Sequence, residues 1–497
     1  MIKSAAPSSI AALLVPLCCF VILSACSNEG SDAPNTITSS GPPPPPTPVQ
    51  SVISDCGTTV GSPGTYFLNS GLTTNSGAEP CITITDTENV TLNCNGNSIT
   101  GTGEYGISGL NVDNLIITNC NVATGTGDGL STLLGLSNIN GGTITNSTFG
   151  SSQADFGAVV IHDSTNVIFG SQLPRAPANA SVTATTNPSI STLISGAPQA
   201  SNMLYGFIIS LDNVNVFIEG NALTSGTSTA LNGYLIGILS SQNTQVVNNT
   251  LDGLGSPLPI VENGIFEYLG TDDDILIQDE TGPGSLISGN ILVNTFDCGI
   301  ETVGFMKNIT LSSNYIDTVS TGIGGWYLLS VTGARFLSNV MTNIEYMGFR
   351  YFRIGGLRPA SSKLPAETTI NFTQNEFTGN ILAQPLIVQG VQLRAVEAYV
   401  YSMMGYVPSP RLPGTDPAPG QFITVGNSFT NNRFDNAFGP LVFSAGPPWT
   451  YTSDDVIDGG GNICSGSQNL VPLVSPTFTT QWVPTTQSIP INCGSGN

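Results

Sequence analysis

A short phrase of alternating apolar and polar residues, closing on asparagine or glycine, returns about every 25 residues through most of this 497-residue chain. It reads Asn89-Val-Thr-Leu-Asn-Cys-Asn95, then Asn114-Leu-Ile-Ile-Thr-Asn-Cys-Asn121, then Gly142-Thr-Ile-Thr-Asn146. It returns as Thr244-Gln-Val-Val-Asn-Asn249, Ser285-Leu-Ile-Ser-Gly-Asn290, Asn308-Ile-Thr-Leu-Ser-Ser-Asn314 and Ala334-Arg-Phe-Leu-Ser-Asn339. Alternation of period two marks strands, and Asn or Gly supplies the backbone of the turn that ends each one. A second landmark follows most phrases: Tyr105-Gly-Ile, Asn263-Gly-Ile, Cys298-Gly-Ile, Thr321-Gly-Ile, Met347-Gly-Phe.

A unit of two or three short strands with no helix cannot bury its apolar face alone. It must stack on its neighbours, so the pattern predicts a solenoid. Leucine-rich repeats share the period but need a leucine motif that is absent, and propeller blades need a period above about 40. The pattern resembles the right-handed parallel β-helix, the pectate-lyase-like fold. The resemblance implies an all-β rod over residues 51–465 of about 12 or 13 coils, each adding about 4.8 Å of axis. Two stretches interrupt the period. Residues 171–203, rich in Pro, Ala, Ser and Thr, read as a long surface loop. Within 382–421, the run from Val391 to Met404 reads as a short helix before a proline-rich loop.

The first residues are an address. An apolar run over 10–23 is too short for a membrane span and reads as the core of a signal peptide over 1–25. It ends in Leu23-Ser24-Ala25-Cys26, which resembles the lipobox of bacterial lipoproteins. The resemblance implies acylation of Cys26, a lipid bilayer as partner and, with Ser27 following, an outer-membrane location. Residues 26–50, including Pro42 to Pro46, read as an extended tether. Residues 466–497 read as a C-terminal cap.

Cysteines suit export. Cys94 and Cys120 hold the same place in consecutive phrases, where stacking sets them about 5 Å apart, within disulfide range. A free cysteine ladder is the alternative there. Cys56 with Cys81 would close the first coil, and Cys464 with Cys493 would pin the last segment. Cys298 is left over and reads as buried.

Composition excludes more than it selects. Net charge is -22, which argues against a nucleic-acid partner. The single histidine, His162, excludes every His-pair metal site and restricts any Ser-His-Asp triad to one place, where Ser164 lies close but nothing marks a nucleophile. The Gly-His-Gly and Arg-Ile-Lys blocks of β-helix polygalacturonases are absent, as are the Trp-Ile-Asp-His and Arg-x-Pro-x-x-Arg signatures of pectate lyases.

One region concentrates chemistry. Arg350, Arg353, Arg358 and Lys363 lie within 14 positions, interleaved with Tyr346, Phe349, Tyr351 and Phe352. Aligning the glycine landmarks stacks these on Trp326 and Tyr327, on Glu301, and on Phe266, Glu267 and Tyr268 in the coils before. The column spans about 14 Å. Aromatic faces stack on sugar rings and arginine holds carboxylates, so a partly acidic polysaccharide is the expected partner. For β-elimination, Arg350 or Arg353 would act, with calcium held by Asp272, Asp273 or Asp274. For hydrolysis, Glu267 and Glu301 would be acid and base, with no cofactor required. Trp326, Tyr327, Tyr268, Tyr351 and Arg358 would hold the substrate. The alternative is a surface or adhesion rod with no activity.

Overall fold

The computed structural model describes residues 49–74, 79–101, 105–124, 132–150, 157–170, 192–195, 206–224, 233–255, 260–262, 265–267, 271–325, 328–354, 370–385, 387–388, 391–392, 399–407, 422–435, 442–444, 456–465, 470–474 and 480–484. The chain divides into two units, Met1–Thr47 and Pro48–Asn497. The first lies outside the described residues, and Cys26 with it. The second is a parallel β-helix.

Each coil pairs in parallel with the one before and after, so residues about 25 apart become lateral neighbours. One column runs Ile82, Ile107, Leu134, Val159, Ile208, Ile236, Ile275, Ile300, Ile323, Phe349 in unbroken register. Every member is buried. A second interior column stacks Phe336, Phe377 and Phe429, ring on ring at 4.5 Å, with Phe349 edge-on to the first two. No coil covers its own apolar face; the neighbour does, which is why the fold requires the repeat.

The closing asparagines are the polar counterpart. Asn221, Asn249, Asn290, Asn314, Asn339, Asn380, Asn432 and Asn462 form a buried ladder in which each Nδ2 donates to the next Oδ1 at 2.9–3.0 Å. Each Oδ1 also accepts the backbone N–H of the preceding asparagine, as Asn314 Oδ1 does from Asn290 at 3.1 Å. The second Nδ2 proton goes to a carbonyl, as from Asn314 to Ile287 at 3.0 Å. Only a side chain with two donors and a two-lone-pair acceptor can fill such a site at every level.

Outward corners carry a different set of Asx residues with positive φ, including Asn111 (55°), Asn138 (55°), Asp163 (48°) and Asp212 (60°). Asn and Asp tolerate this left-handed conformation better than other non-glycine residues. The glycine of the Gly-Ile landmark has another cause. It turns inward beside the apolar column, and a Cβ there would overlap Ile316 at Gly299 and Met341 at Gly322.

The disulfides Cys56–Cys81 and Cys94–Cys120 are both present, across sequence separations of 25 and 26. Cys298 is buried and belongs to neither. Cys493 lies outside the described residues, so the expected bridge to Cys464 does too.

Three expectations are corrected. Thr192–Ser195, inside the presumed loop at 171–203, is a strand of the stack between Ser147–Gly150 and Asn221–Thr224. Its Ile194 is the register partner of Phe149 and Leu223. Tyr399–Val407, within the segment read partly as helix, pairs in parallel with Val340–Ile354. A dense aromatic and β-branched run suits a strand better than a helix. Finally, Ile265–Glu267 is not a rung. It forms an antiparallel hairpin with Ile260–Glu262, and Asp273–Gln278 takes the place in the coil.

Candidate functional site

The Gly-Ile landmarks do align, with one substitution. Cys298, Thr321 and Met347 are register partners, and the coil before them contributes Asp273. Asp273-Asp274-Ile275 is therefore the missing landmark, with aspartate where its neighbours carry glycine. Three residues past the first landmark position, Leu276, Glu301, Gly324 and Arg350 form the next outward column. Glu301 and Arg350 thus hold the same register position two coils apart, about 10 Å along the axis.

Around Asp273 the carboxylates converge. Asp273 is buried at 3% exposure and accepts the Cys298 N–H at 3.1 Å. Burial pushes its carboxyl well above the usual carboxylate range; the charges of Glu301, Asp272 and Asp297 push it further, as does a hydrogen bond with Glu301. All of these causes favour its neutral, proton-bearing form. Glu301, Asp272 and Asp297 are only partly buried, so the pair has a solvent-facing side. Oxygen atoms of Asp273 and Asp297 and the Cys298 sulfur lie within 4.8 Å of one another.

Tyr234, the register partner of Asp273 in the coil before, adds a hydroxyl. Its ring packs with Ile209, Leu239 and Leu276. At 5% exposure, its buried Oη has no hydrogen-bond partner among the described residues. Burial raises its hydroxyl above the ordinary range and Asp273 raises it further. A buried, unsatisfied donor beside a carboxylic acid is the mark of a place where a polar ligand belongs.

The sequence-derived residues fall into three groups. Asp272, Asp273 and Glu301 are brought together. Arg350, Tyr351 and Arg353 lie on the strand Val340–Ile354, with Arg350 in register with the Glu301 column. Glu267 sits in the hairpin off the stack. Tyr268, Trp326, Tyr327 and Arg358 lie outside the described residues. Asp272, Asp273 and Asp274 do not form one donor set for calcium. Asp274 takes the inward place that Leu235 and Ala158 take in other coils; it is fully buried, with neither carboxyl oxygen hydrogen-bonded. Burial, then Asp252, raises its carboxyl well above the usual range.

Arg335 is an ordinary ion pair, 2.9 Å from Glu376 on an exposed face. Ser164 is buried and donates to the His162 carbonyl at 2.8 Å, which is a structural turn and not a nucleophile. Tyr234 and Asp297 were not anticipated. Counting 25 residues back from Ile300 to Ile275 would have found the aspartate landmark, and Tyr234 two residues before the next column member, Ile236.

No protein-family model matches the chain, and no curated protein matches it. Solved structures do. A double mutant of the tailspike protein of E. coli bacteriophage HK620 is 12% identical, over 83% of this chain and 74% of that one, with a TM-score of 0.43. A single mutant of the same tailspike, in complex with pentasaccharide, is 10% identical with a TM-score of 0.42. The Azotobacter vinelandii mannuronan C-5 epimerase AlgE6 A-module is 13% identical, over 82% of this chain and 90% of that one, with a TM-score of 0.38. Likeness of this degree transfers no residue role and no activity.

Proposed function

We propose that this protein binds a polysaccharide along the outward face that carries Asp273, Glu301 and Arg350, and hydrolyses a glycosidic bond there. The observation that carries the reading is the carboxyl pair: Asp273, buried and with its carboxyl raised, hydrogen-bonded to the more exposed Glu301 beside Asp272 and Asp297. Glycosidic hydrolysis needs one carboxyl that is protonated at neutral pH and one that is not. Here the pair supplies the proton to the leaving oxygen as the C–O bond breaks. Asp297 takes a proton from the water that attacks the anomeric carbon. Arg350, two coils away on the same column, suits an acidic group on the chain. The coil spacing of about 4.8 Å approximates the length of a sugar unit, so a regular face suits a regular polymer.

Export is part of the same reading. Acylation at Cys26 and the tether of 26–50 would hold the β-helix off an outer membrane. Labelling cells with a palmitate analogue tests it, with Cys26→Ser expected to lose the label.

Activity is tested by incubating the protein with a panel of neutral and acidic polysaccharides. New reducing ends and absorbance of unsaturated uronate are measured together. The expected result is reducing ends without unsaturated product, at a rate lowered at least about 100-fold in Glu301→Gln. Activity should survive EDTA, because the pair works by holding a proton. Unsaturated product would replace hydrolysis by elimination. Binding without turnover, or neither, would leave the adhesion-rod reading, which the missing enzyme signatures favour.

A further inference from the structure

On the same outward face, four register steps from Glu301, lies a second constellation that the acid pair does not use. His162 Nε2 is 3.1 Å from Asp163 Oδ2 and 3.8 Å from Asp212 Oδ2. All three donor atoms lie within 4.8 Å of one another.

The stack explains why this arrangement is unusual. Asp86, Asn111, Asn138, Asp163 and Asp212 follow register partners in successive coils and occupy one corner column. In its first levels an amide bridges each step: Asn111 Nδ2 donates to Asp86 Oδ1, and Asn138 Nδ2 donates to Asn111 Oδ1, both at 2.8 Å. At Asp163 and Asp212 two carboxylates follow one another. Neither can donate to the other, and their charges repel at one coil's spacing. The chain's only imidazole stands against both.

Two observations point to a cation, one in the donor distances and one beside the cluster. The first is metric. Metal–nitrogen and metal–oxygen bonds of about 2.0–2.2 Å set donor atoms about 3.3–3.5 Å apart around a tetrahedral ion. The two Nε2–Oδ2 distances straddle that edge. The second is access. His162 lines a groove of about 570 Å³ together with Tyr105, Ser108, Ser137, Val160 and Leu211. An ion held from one side by three protein donors would turn its remaining positions toward that groove.

We propose that His162, Asp163 and Asp212 bind one divalent transition-metal ion, with imidazole and two carboxylates selecting zinc-like ions over calcium or magnesium. The site is independent of the acid pair and of the hydrolytic reading.

The test titrates the metal-free full chain with Co2+ and reads visible ligand-field absorption, then repeats the titration with Zn2+ by calorimetry. One equivalent that excess Mg2+ does not displace is expected. His162→Ala, Asp163→Asn and Asp212→Asn should each weaken binding more than about tenfold. The two asparagine variants restore the amide pattern of the corner column, so their melting temperatures should not fall; they keep the result readable if His162→Ala unfolds. Asp113→Asn, exposed on another part of the rod, should bind as wild type does. No Co2+ binding would overturn the proposal. So would binding that Mg2+ removes, or binding that the three variants leave intact, since either would be the diffuse attraction of an acidic surface.

Discussion

Asp273 and Glu301 belong to adjacent coils and share a hydrogen bond inside a group of carboxylates that includes Asp272 and Asp297, where burial first and the neighbouring charges next raise the Asp273 carboxyl. Sequence distance hides the pair and stacking creates it. Because the Asp273 carboxyl is raised, the neutral form persists well above the ordinary aspartate range. An activity that needs this proton should fall on the alkaline side of the pH profile. Asp273→Asn should separate function from stability. The amide still accepts from the Cys298 N–H and still donates to Glu301, but it has no proton to give. Hydrolysis should drop by a factor of about 100 or more, while stability at pH 8 rises, because no buried carboxylate remains to ionise. A melting curve beside a reducing-end assay checks both. An active Asp273→Asn enzyme would remove Asp273 from the chemistry.

Glu280 gives the protein a pH-dependent stability that owes nothing to function. Burial pushes its carboxyl up to about 7, against hydrogen bonds from Ser285 and Thr244 that pull it down. Its second oxygen has no partner. A raised carboxyl contributes stability that is complete below the unfolded-state value near 4.5 and is lost as pH climbs through the folded value. Stability should therefore fall between about pH 4.5 and 7 and then level, by at most about 3 kcal/mol from this group. Asp273 and Asp274 act with the same sign. Urea unfolding of Glu280→Gln across that window should show a shallower slope than wild type.

The asparagine ladder should be intolerant of small changes. Asn314 donates to Asn339 Oδ1 at 2.9 Å and to the Ile287 carbonyl at 3.0 Å, and it accepts two donors from Asn290. Asn314→Ala leaves Asn290 with two unpaired buried donors and takes one donor from the Ile287 carbonyl. The cost should be about 3 kcal/mol or more. Asn314→Asp keeps the size and the acceptor but places oxygen against oxygen at Asn339 and Ile287. It should be as damaging at pH 7 and partly recover at pH 4, where the carboxyl can donate again.

The architecture was legible because it is written in a short alphabet. Alternation, closing asparagines and the Gly-Ile landmark each report a local requirement, and stacking repeats the requirement. Register was legible only where the landmark kept its letters. Asp273-Asp274-Ile275 breaks the spelling because Asp274 stands where the chain elsewhere places glycine, alanine or leucine. Ile265, which follows Asn263-Gly264 in the sequence, keeps the spelling but pairs antiparallel with Glu262. The landmark therefore misplaced Glu267 and left Asp272 to Asp274 outside the aligned column, while it set Glu301 in the same register as Gly324 and Arg350. Tyr234 was illegible for another reason. Its significance lies in an unsatisfied hydroxyl over a neighbour about 40 residues away, and no local pattern encodes that.

The two disulfides should act locally. Both lie in the first coils, tying Cys56 to Cys81 and Cys94 to Cys120. Each closes a loop of about 25 residues, worth about 3 kcal/mol in the chain-entropy account. In a stacked repeat, stability is a sum of coil and nearest-neighbour terms, so a loss at one end need not propagate. The terminal coils have a neighbour on one side only and depend most on a covalent staple. Replacing Cys94 and Cys120 by alanine should therefore speed hydrogen exchange of the amides between residues 58 and 124. The amides from Asn290 to Asn339, held by the ladder, should keep their protection. Uniform loss of protection along the rod would mean that the coils unfold as one cooperative unit, and that the bridges at its start stabilise all of it.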